Sequence, residues 1–322
     1  MQNKISADLL VQHGFLIVCA MAFVVFAVAT EHFFEAENFL NILHTMSPLA
    51  ITASGLALVV ISGRLDISIG STAFLSCAVG ALMMKNDGLD PLLAAIIVLA
   101  CGAALGAVNG FIVTVLKVNS LIATLGTMIA YRGISLSLTD ALLVQLPEPI
   151  RVLGNARLGP IPADIVIMLV VLVAIHVLHA RTAFGRQLVA IGNDIATARK
   201  VGLPVDRTGF LSFVLAGTLA SAGGILTTLQ NGAVSPWLGS GLEFTALAVV
   251  VVGGISLLGG RGTILFSIIP GAFIFEMIRN GLTNLGANPY AYRLVGGAVI
   301  FAAMYADALK SGRLSLKRGT SP

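Results

Sequence analysis

The stretch Arg181-Thr-Ala-Phe-Gly185-Arg-Gln-Leu-Val-Ala190-Ile-Gly-Asn-Asp-Ile195-Ala-Thr-Ala-Arg-Lys200-Val-Gly-Leu-Pro-Val205-Asp-Arg207 separates two long apolar runs, at 163–180 and 209–230. Each run is near the roughly 20 residues that a helix needs to cross the hydrocarbon of a bilayer. Between them the chain turns polar and carries five cations, Arg181, Arg186, Arg199, Lys200 and Arg207. Inside this loop the residues predict a very short helix with stop signals at both ends. Asn193 or Asp194 can cap its start, Gly202 suits the left-handed residue past its end, and Pro204 forbids its continuation. A membrane chain that orders two helical turns in its most basic loop is expected to present them to a cytoplasmic partner.

Composition agrees with lipid as the solvent. Of the 322 residues 57% are hydrophobic and 11% charged, and the mean hydropathy is +0.96. Soluble domains carry about 25% charged residues. The net charge of +4 is what cytoplasmic lysines and arginines produce in a membrane protein, so nucleic acid is not expected as a partner. Cys19, Cys77 and Cys101 all lie in apolar runs with no metal or disulfide spacing, and read as small apolar side chains at helix contacts.

Reading outward for further runs gives spans at roughly 14–30, 45–62, 67–84, 91–116, 118–138, 163–180, 209–230, 244–258, 263–281 and 291–309. The expected fold is therefore an all-α polytopic membrane protein of about ten helices, a single transmembrane domain over 1–322. Ser47-Pro48, Asp90-Pro91, Thr263 and Asn288-Pro289 offer helix starts. The spans at 45–62 and 244–258 are short, hence tilted, broken or partly re-entrant. With both termini inside, the inner segments collect Lys4, Arg64, Lys117, the five loop cations, Arg261, Lys310, Arg313, Lys317 and Arg318, which is 13 of the 19 Lys and Arg. Outer segments collect Glu31, Glu35, Glu37, Asp87, Asp90, Asp140, Glu148, Asp164 and Glu243. This bias fixes the direction of the chain in a bacterial inner membrane. Lys4 and Ala27-Val-Ala29 loosely resemble a signal peptide, and the first helix is expected to be retained. The outer loop 139–162, with four prolines, reads as an irregular surface, either a docking platform or a plain connection.

No residues here supply power or covalent chemistry. None of the six lysines follows a glycine, so the chain holds no Walker-type ATP site. Glu276 with Arg279 a turn later reads as a structural ion pair rather than a proton relay. His176 and His179 fall near the inner end of their span. No HExxH spacing, no serine with a histidine partner and no aspartate dyad is present, and an enzyme is not expected.

Glycine supplies the remaining signal. Gly102, Gly106 and Gly110 share one helix face and predict close helix packing. Two breaks, Ser62-Gly-Arg-Leu-Asp-Ile-Ser-Ile-Gly-Ser71 and Gly253-Gly-Ile-Ser-Leu-Leu-Gly-Gly-Arg-Gly262, each follow a β-branched run and place an arginine beside a new helix start. Non-helical backbone near a membrane is tolerated where protein buries it or a cavity meets it. Asp66 is expected to cap the following helix and offset Arg64.

Taken in order, these residues resemble the ribose-type, carbohydrate-uptake class 2 permeases of ABC importers, the group that includes ribose, xylose, rhamnose and autoinducer-2 permeases. The resemblance is carried by Ser62–Ser71, Gly106-Ala-Val-Asn-Gly110, Ala123-Thr-Leu-Gly-Thr127 with Arg132-Gly133, Thr182-Ala-Phe-Gly-Arg186, Ala190-Ile-Gly-Asn193, Gly241-Leu-Glu243 and Gly253–Gly262. It covers about residues 40 to 275. Ser62 and Arg64-Leu65 replace the commoner Gly-Gly-Ile, and Asp194 stands where proline is frequent. Asp66, Gly70, Glu243, Gly253, Gly254, Gly259 and Gly260 match the structural signature. Branched-chain amino-acid importers are the nearest confusable group, and Asp66-Ile-Ser-Ile-Gly70 argues against them.

The resemblance implies a sugar or polyol permease that works with a second permease copy, a periplasmic sugar-binding protein and a cytoplasmic ATPase. ATP and Mg would be bound by that ATPase, and this chain would carry no cofactor. Within a cytoplasmic loop over 181–208, Gly192, Asn193, Asp194, Ile195, Ala196, Thr197, Ala198, Arg199 and Gly202 would form the segment that docks in the ATPase. Ile195, Ala198 and Val201 would give it an apolar edge, and Arg199 and Lys200 its charge. Ser68, Ser71, Asn109, Asn119 and Thr124 are candidates for pathway polarity, with helix packing as their plainer role. The rival readings are an ion-coupled secondary sugar transporter and a membrane subunit without transport.

Overall fold

The computed structural model describes residues 33–288, together with 23, 24, 26–28, 294, 296–298 and 301. The expected spans at 14–30 and 291–309 thus lie largely outside the described residues. Two compact units are present, one of residues 40–273 and one drawn from both ends of the chain, 1–39 and 274–322.

Eleven α-helices are bounded among the described residues: α1 (Ala36–Ile61), α2 (Ile69–Asp87), α3 (Pro91–Thr114), α4 (Ser120–Leu138), α5 (Glu148–Arg151), α6 (Ala163–Arg181), α7 (Ala183–Asn193), α8 (Ile195–Lys200), α9 (Val205–Asn231), α10 (Leu242–Val252) and α11 (Ile264–Asn284). Six of them, α1, α3, α4, α6, α9 and α11, are long and apolar enough to cross a membrane. The protein is thus a helical multi-pass membrane protein. α10 has 11 residues, so it rises only about 16 Å and cannot span the ~30 Å hydrocarbon alone.

α1 is the central helix of the larger unit. Its apolar window is 89% buried, against 22% for α3 and for α4, which leaves those two to face lipid or another chain. Ser47-Pro48 does not start this helix, as the sequence had led us to expect; Pro48 lies inside it. A proline in a helix interior leaves the carbonyl four residues back without its donor. Here Gln230 of α9 supplies one, its Nε2 donating to the His44 carbonyl at 2.9 Å. A tertiary contact has removed the penalty that made Pro48 look like a boundary.

Close packing of α3 on α9 follows the glycine ladder read from the sequence. A β-carbon at Gly106 would overlap the Phe213 carbonyl, and one at Gly102 would overlap Ser221 Oγ and the Gly217 carbonyl. Such approach is how helices associate where no hydrophobic effect drives them together. Ser221 also meets Ser76 Oγ of α2 at 2.8 Å, tying a third helix to the pair. Starts at α3 and α4 are conventional: Asp90 accepts from Leu92 N at 2.9 Å, and Asn119 from Leu121 N at 3.0 Å.

The loop 139–162 is ordered rather than irregular. Strand β1 (Val144–Gln145) pairs antiparallel with β4 (Ala233–Val234), and β2 (Arg157–Leu158) forms a hairpin with β3 (Ile161–Pro162). Val144, Leu146 and Ile150 pack with Phe74, Ala78 and Ala81 of α2 and with Val234 and Leu238. Apolar side chains between the prolines hold the segment down on α2.

In the smaller unit, Phe33 is buried and meets Phe23, Phe34 and Phe39 edge-on, at 5.3–6.3 Å between ring centres. Arg279 Nε pairs with Glu276 Oε2 at 2.6 Å. That is the structural ion pair expected from the sequence.

Candidate functional site at the basic loop

α7, α8 and the turn between them form one short amphipathic hook. Asp194, not Asn193, caps α8: its Oδ1 accepts from Thr197 N at 2.6 Å, while Asn193 ends α7. That same N–H holds the Asp194 carboxyl below the usual aspartate range. At the far end Gly202 takes φ +81, and Leu203 N returns to the Ala198 carbonyl at 3.0 Å. Side chains then sort by face. Ala198 is buried with Ile191 and Val205, with Leu203 packed against them. The outward apolar edge is therefore Ile195 and Val201 without Ala198, because α8 uses that position to seat on α7 and α9. Ala196, Thr197, Arg199 and Lys200 are exposed.

What lies beneath the hook is the junction of both glycine breaks. Gly260 N donates to the Ile61 carbonyl at 2.9 Å. A β-carbon at Gly192 would overlap both of those atoms. Gly63, Gly259 and Gly260 have φ of +76, +84 and +70, a conformation that other residues adopt at a cost. A β-carbon at Gly259 would stand 2.8 Å from Gly63 Cα, and one at Gly260 would overlap the Asn193 side chain. Three segments remote in sequence thus touch backbone to backbone. In the second break, Gly253 lets α10 rest on the Ser267 carbonyl of α11, and Gly254 takes φ +90.

Charge ties the hook to the bundle at a second point. Asp206, in the first turn of α9, receives Lys117 Nζ at 2.6 Å and Arg199 Nη2 at 3.2 Å. Lys117 comes from the turn between α3 and α4 and holds φ +59. Arg64 lies against Gly209 of α9 and donates to Ser62 Oγ at 3.3 Å. It does not pair with Asp66, so the expected offset between those two is absent.

The polar residues proposed for a pathway are mostly spent on holding the first break. Asp66 Oδ1 accepts from Ser68 N at 2.9 Å and Ser68 Oγ at 2.7 Å, an Asx-type turn ahead of α2. Asn109 Nδ2 donates to Ser68 Oγ at 2.7 Å. Backbone groups of the unwound segment are met by α4: Leu65 N by Ser120 Oγ at 3.2 Å and Ile67 N by Thr124 Oγ1 at 3.1 Å. Asn119 is a helix cap. Of the five, Ser71 keeps its buried hydroxyl and Asn109 its buried Oδ1 without a partner. Packing, the plainer role, describes Ser68, Asn109 and Thr124.

A group that the sequence left without a role sits further up α4. Arg132 donates to the carbonyls of Leu238 at 3.1 Å and Pro236 at 3.4 Å, with its guanidinium 5.4 Å over the Phe74 ring. Gly239, in the same segment, touches Gly70, where a β-carbon would also stand 2.8 Å from Glu243 Oε2. Glu243, which the sequence placed with the outer segments, therefore sits against the first turn of α2. The readable signal was a lone arginine inside an apolar span.

Fold and junction together define a multi-pass membrane transport subunit. Over residues 38–304 the chain matches the family described as "Branched-chain amino acid transport system / permease component". It is 36% identical to the probable ABC transporter permease protein YphD of Escherichia coli K12, over 94% of this chain and 91% of that one. Identity is 34% to the ribose import permease protein RbsC of the same strain, over 94% and 95%. It is 33% to the autoinducer 2 import system permease protein LsrC of Photorhabdus luminescens, over 91% and 88%. No solved structure matches. The chain belongs to this family of permease components.

Proposed function

We propose that the chain is the membrane subunit of an ATP-binding-cassette importer carrying a monosaccharide or related polyol into the cytoplasm, powered by a separate ATPase that binds ATP and Mg. Relatives named for ribose and autoinducer-2 import support the cargo class. The observation that carries the mechanism is the seat of Gly192 against the hydrogen bond from the Gly260 amide to the Ile61 carbonyl. An ATPase gripping Ile195, Thr197 and Val201 pulls on a hook whose root is in backbone contact with both breaks, so displacement enters α1, α2, α10 and α11 without a flexible side chain between. Free energy reaches the pathway only through this difference in contacts between nucleotide states.

Ten spans with both termini cytoplasmic, and a periplasmic sugar-binding protein on the face of the 139–162 cap, complete the reading. A second permease copy belongs on α4. Gly126, Ala130 and Gly133 share one exposed face of that helix, and a β-carbon at either glycine would meet nothing within 4 Å. The test is reconstitution in liposomes with the cognate ATPase and receptor. ATP-dependent accumulation of labelled sugar is expected; sustained uphill uptake by the chain alone on an ion gradient overturns the reading.

A further inference from the structure

The chain's sole tryptophan, Trp237, is 76% exposed. It sits in the segment 235–241 that joins β4 to α10, and Arg132 grips the carbonyls on either side of it, those of Pro236 and Leu238. Position along α4 sets the depth. Arg132 lies 12 residues beyond Ser120, about 18 Å along a helix that rises 1.5 Å per residue, so it is inside the span but nearer its outer end, beside the cap in which Leu238 packs. Gly239 rests on Gly70, in the first turn of α2, so the backbone of the segment is held against the bundle while the indole stays exposed. Glu243 follows on α10, half-buried, with an oxygen over Gly70.

Arg132 and Glu243 both border this segment but do not close into a contact ion pair. Two opposite charges within membrane spans, left apart, are costly unless water or cargo reaches them, and ionisable groups inside spans mark substrate paths by default. Phe244, next along α10, is 53% exposed, and Ser71, next to Gly70, keeps its buried hydroxyl unpaired. An exposed indole, a guanidinium with three N–H donors uncommitted by its two carbonyl bonds, and a carboxylate make up the chemistry that suits a polyhydroxylated ring. The aromatic face covers C–H groups, Arg donates to hydroxyl oxygens, and Glu accepts from hydroxyl hydrogens.

Resting on the permease reading above, we propose that Trp237, Arg132 and Glu243 form the cargo-contact site of this chain, a stacking and hydrogen-bonding station for a neutral sugar inside the outer half of the membrane. Arg132 both positions the Trp237 segment and touches cargo. Contacts of this kind are weak singly, which suits a station that must release what it receives. The competing role for Trp237 is that of a lipid anchor, as tryptophans at membrane interfaces are.

One tryptophan makes the test specific. The full chain is reconstituted in liposomes, and emission is quenched either by acrylamide from water or by dibrominated phosphatidylcholine from lipid. Strong quenching by acrylamide with little by brominated lipid is the expected result. The reverse overturns the site whatever the cargo. In the assembled transporter, labelled D-ribose, D-xylose and L-rhamnose are then offered to wild type, Trp237→Ala and Glu243→Gln. The variants are expected to lose roughly tenfold in uptake while nucleotide hydrolysis persists. Unchanged uptake in both variants overturns the site and leaves the permease reading standing. No ATP-driven accumulation of any of the three by wild type overturns the monosaccharide reading, with quenching still deciding whether Trp237 faces water.

Discussion

Gly260 donates its amide to the carbonyl of Ile61 at 2.9 Å, and the Cα of Gly192 stands where no side chain could be added between them. One hydrogen bond thus joins the end of α1 to the loop after α10, under the root of the basic hook. The predictions below begin with this joint.

Gly192→Ala forces a methyl into the Ile61–Gly260 contact. Overpacking of this kind costs about 1–3 kcal/mol, enough to part the joint while leaving most of the fold. Expected is a complex that assembles and hydrolyses ATP near wild-type rates yet transports poorly. Equal loss of hydrolysis and uptake would assign Gly192 to ATPase binding instead.

For Asp194 the sign of the pH effect is fixed by its cap. Its carboxyl is held below the ordinary value of 3.8 by the Thr197 N–H. The capping contribution is therefore present above 3.8 and lost as pH falls through the lower folded value. A carboxyl titration of Asp194 followed by NMR should show a midpoint below 3.8. Asp194→Asn, which keeps a capping oxygen, should preserve α8 and abolish this acid-side transition. A midpoint at or above 3.8 would mean the cap is not made.

Gly106 and Gly126 make a paired test of buried against exposed glycine. Gly106→Val drives side-chain atoms into the Phe213 carbonyl and should lower thermal stability in detergent markedly. Gly126→Val meets nothing within the chain and should leave that stability nearly unchanged. If α4 carries the second copy, Gly126→Val will still shift the particle from dimer to monomer in light scattering.

Gln230→Leu strands the His44 carbonyl that Pro48 cannot serve, and removes a 2.6 Å contact to Asp164. An unsatisfied buried carbonyl costs about 1–3 kcal/mol. Adding Pro48→Ala restores a donor to His44 and should recover much of the loss. A double variant no more stable than Gln230→Leu alone would show that the amide acts through Asp164.

What could be read from sequence was whatever neighbours in the chain decide. Asp90 before Pro91, Asp194 before α8, Gly202 after it and the ladder at Gly102, Gly106 and Gly110 each depend on local geometry or on one helix face. Readings failed where a distant partner changes the sign of a local preference. Pro48 looked like a helix start because Gln230 was invisible. Ala198 looked outward because nothing in α8 announces that Ile191 and Val205 lie behind it. Loop 139–162 looked irregular because its four prolines are conspicuous, whereas Val144, Leu146 and Ile150 owe their burial to α2. For Thr124 and Asn109 the sequence offered pathway polarity beside the plainer packing role, and their hydrogen bonds to the unwound segment at 65–68 fit the latter. The Arg132 clasp was hidden for a similar reason, since its acceptors are main-chain carbonyls, which every residue has.

A joint made of bare backbone also sets the terms on which such transporters can be rebuilt. Exchanging ATPase preference between relatives should need only the outward residues of α8, such as Ile195, Thr197 and Val201. A graft of the whole hook instead imports a glycine seat cut for another protein's α1 and α10 ends. Chimeras that carry all three segments from one parent are expected to work where loop-only chimeras stall.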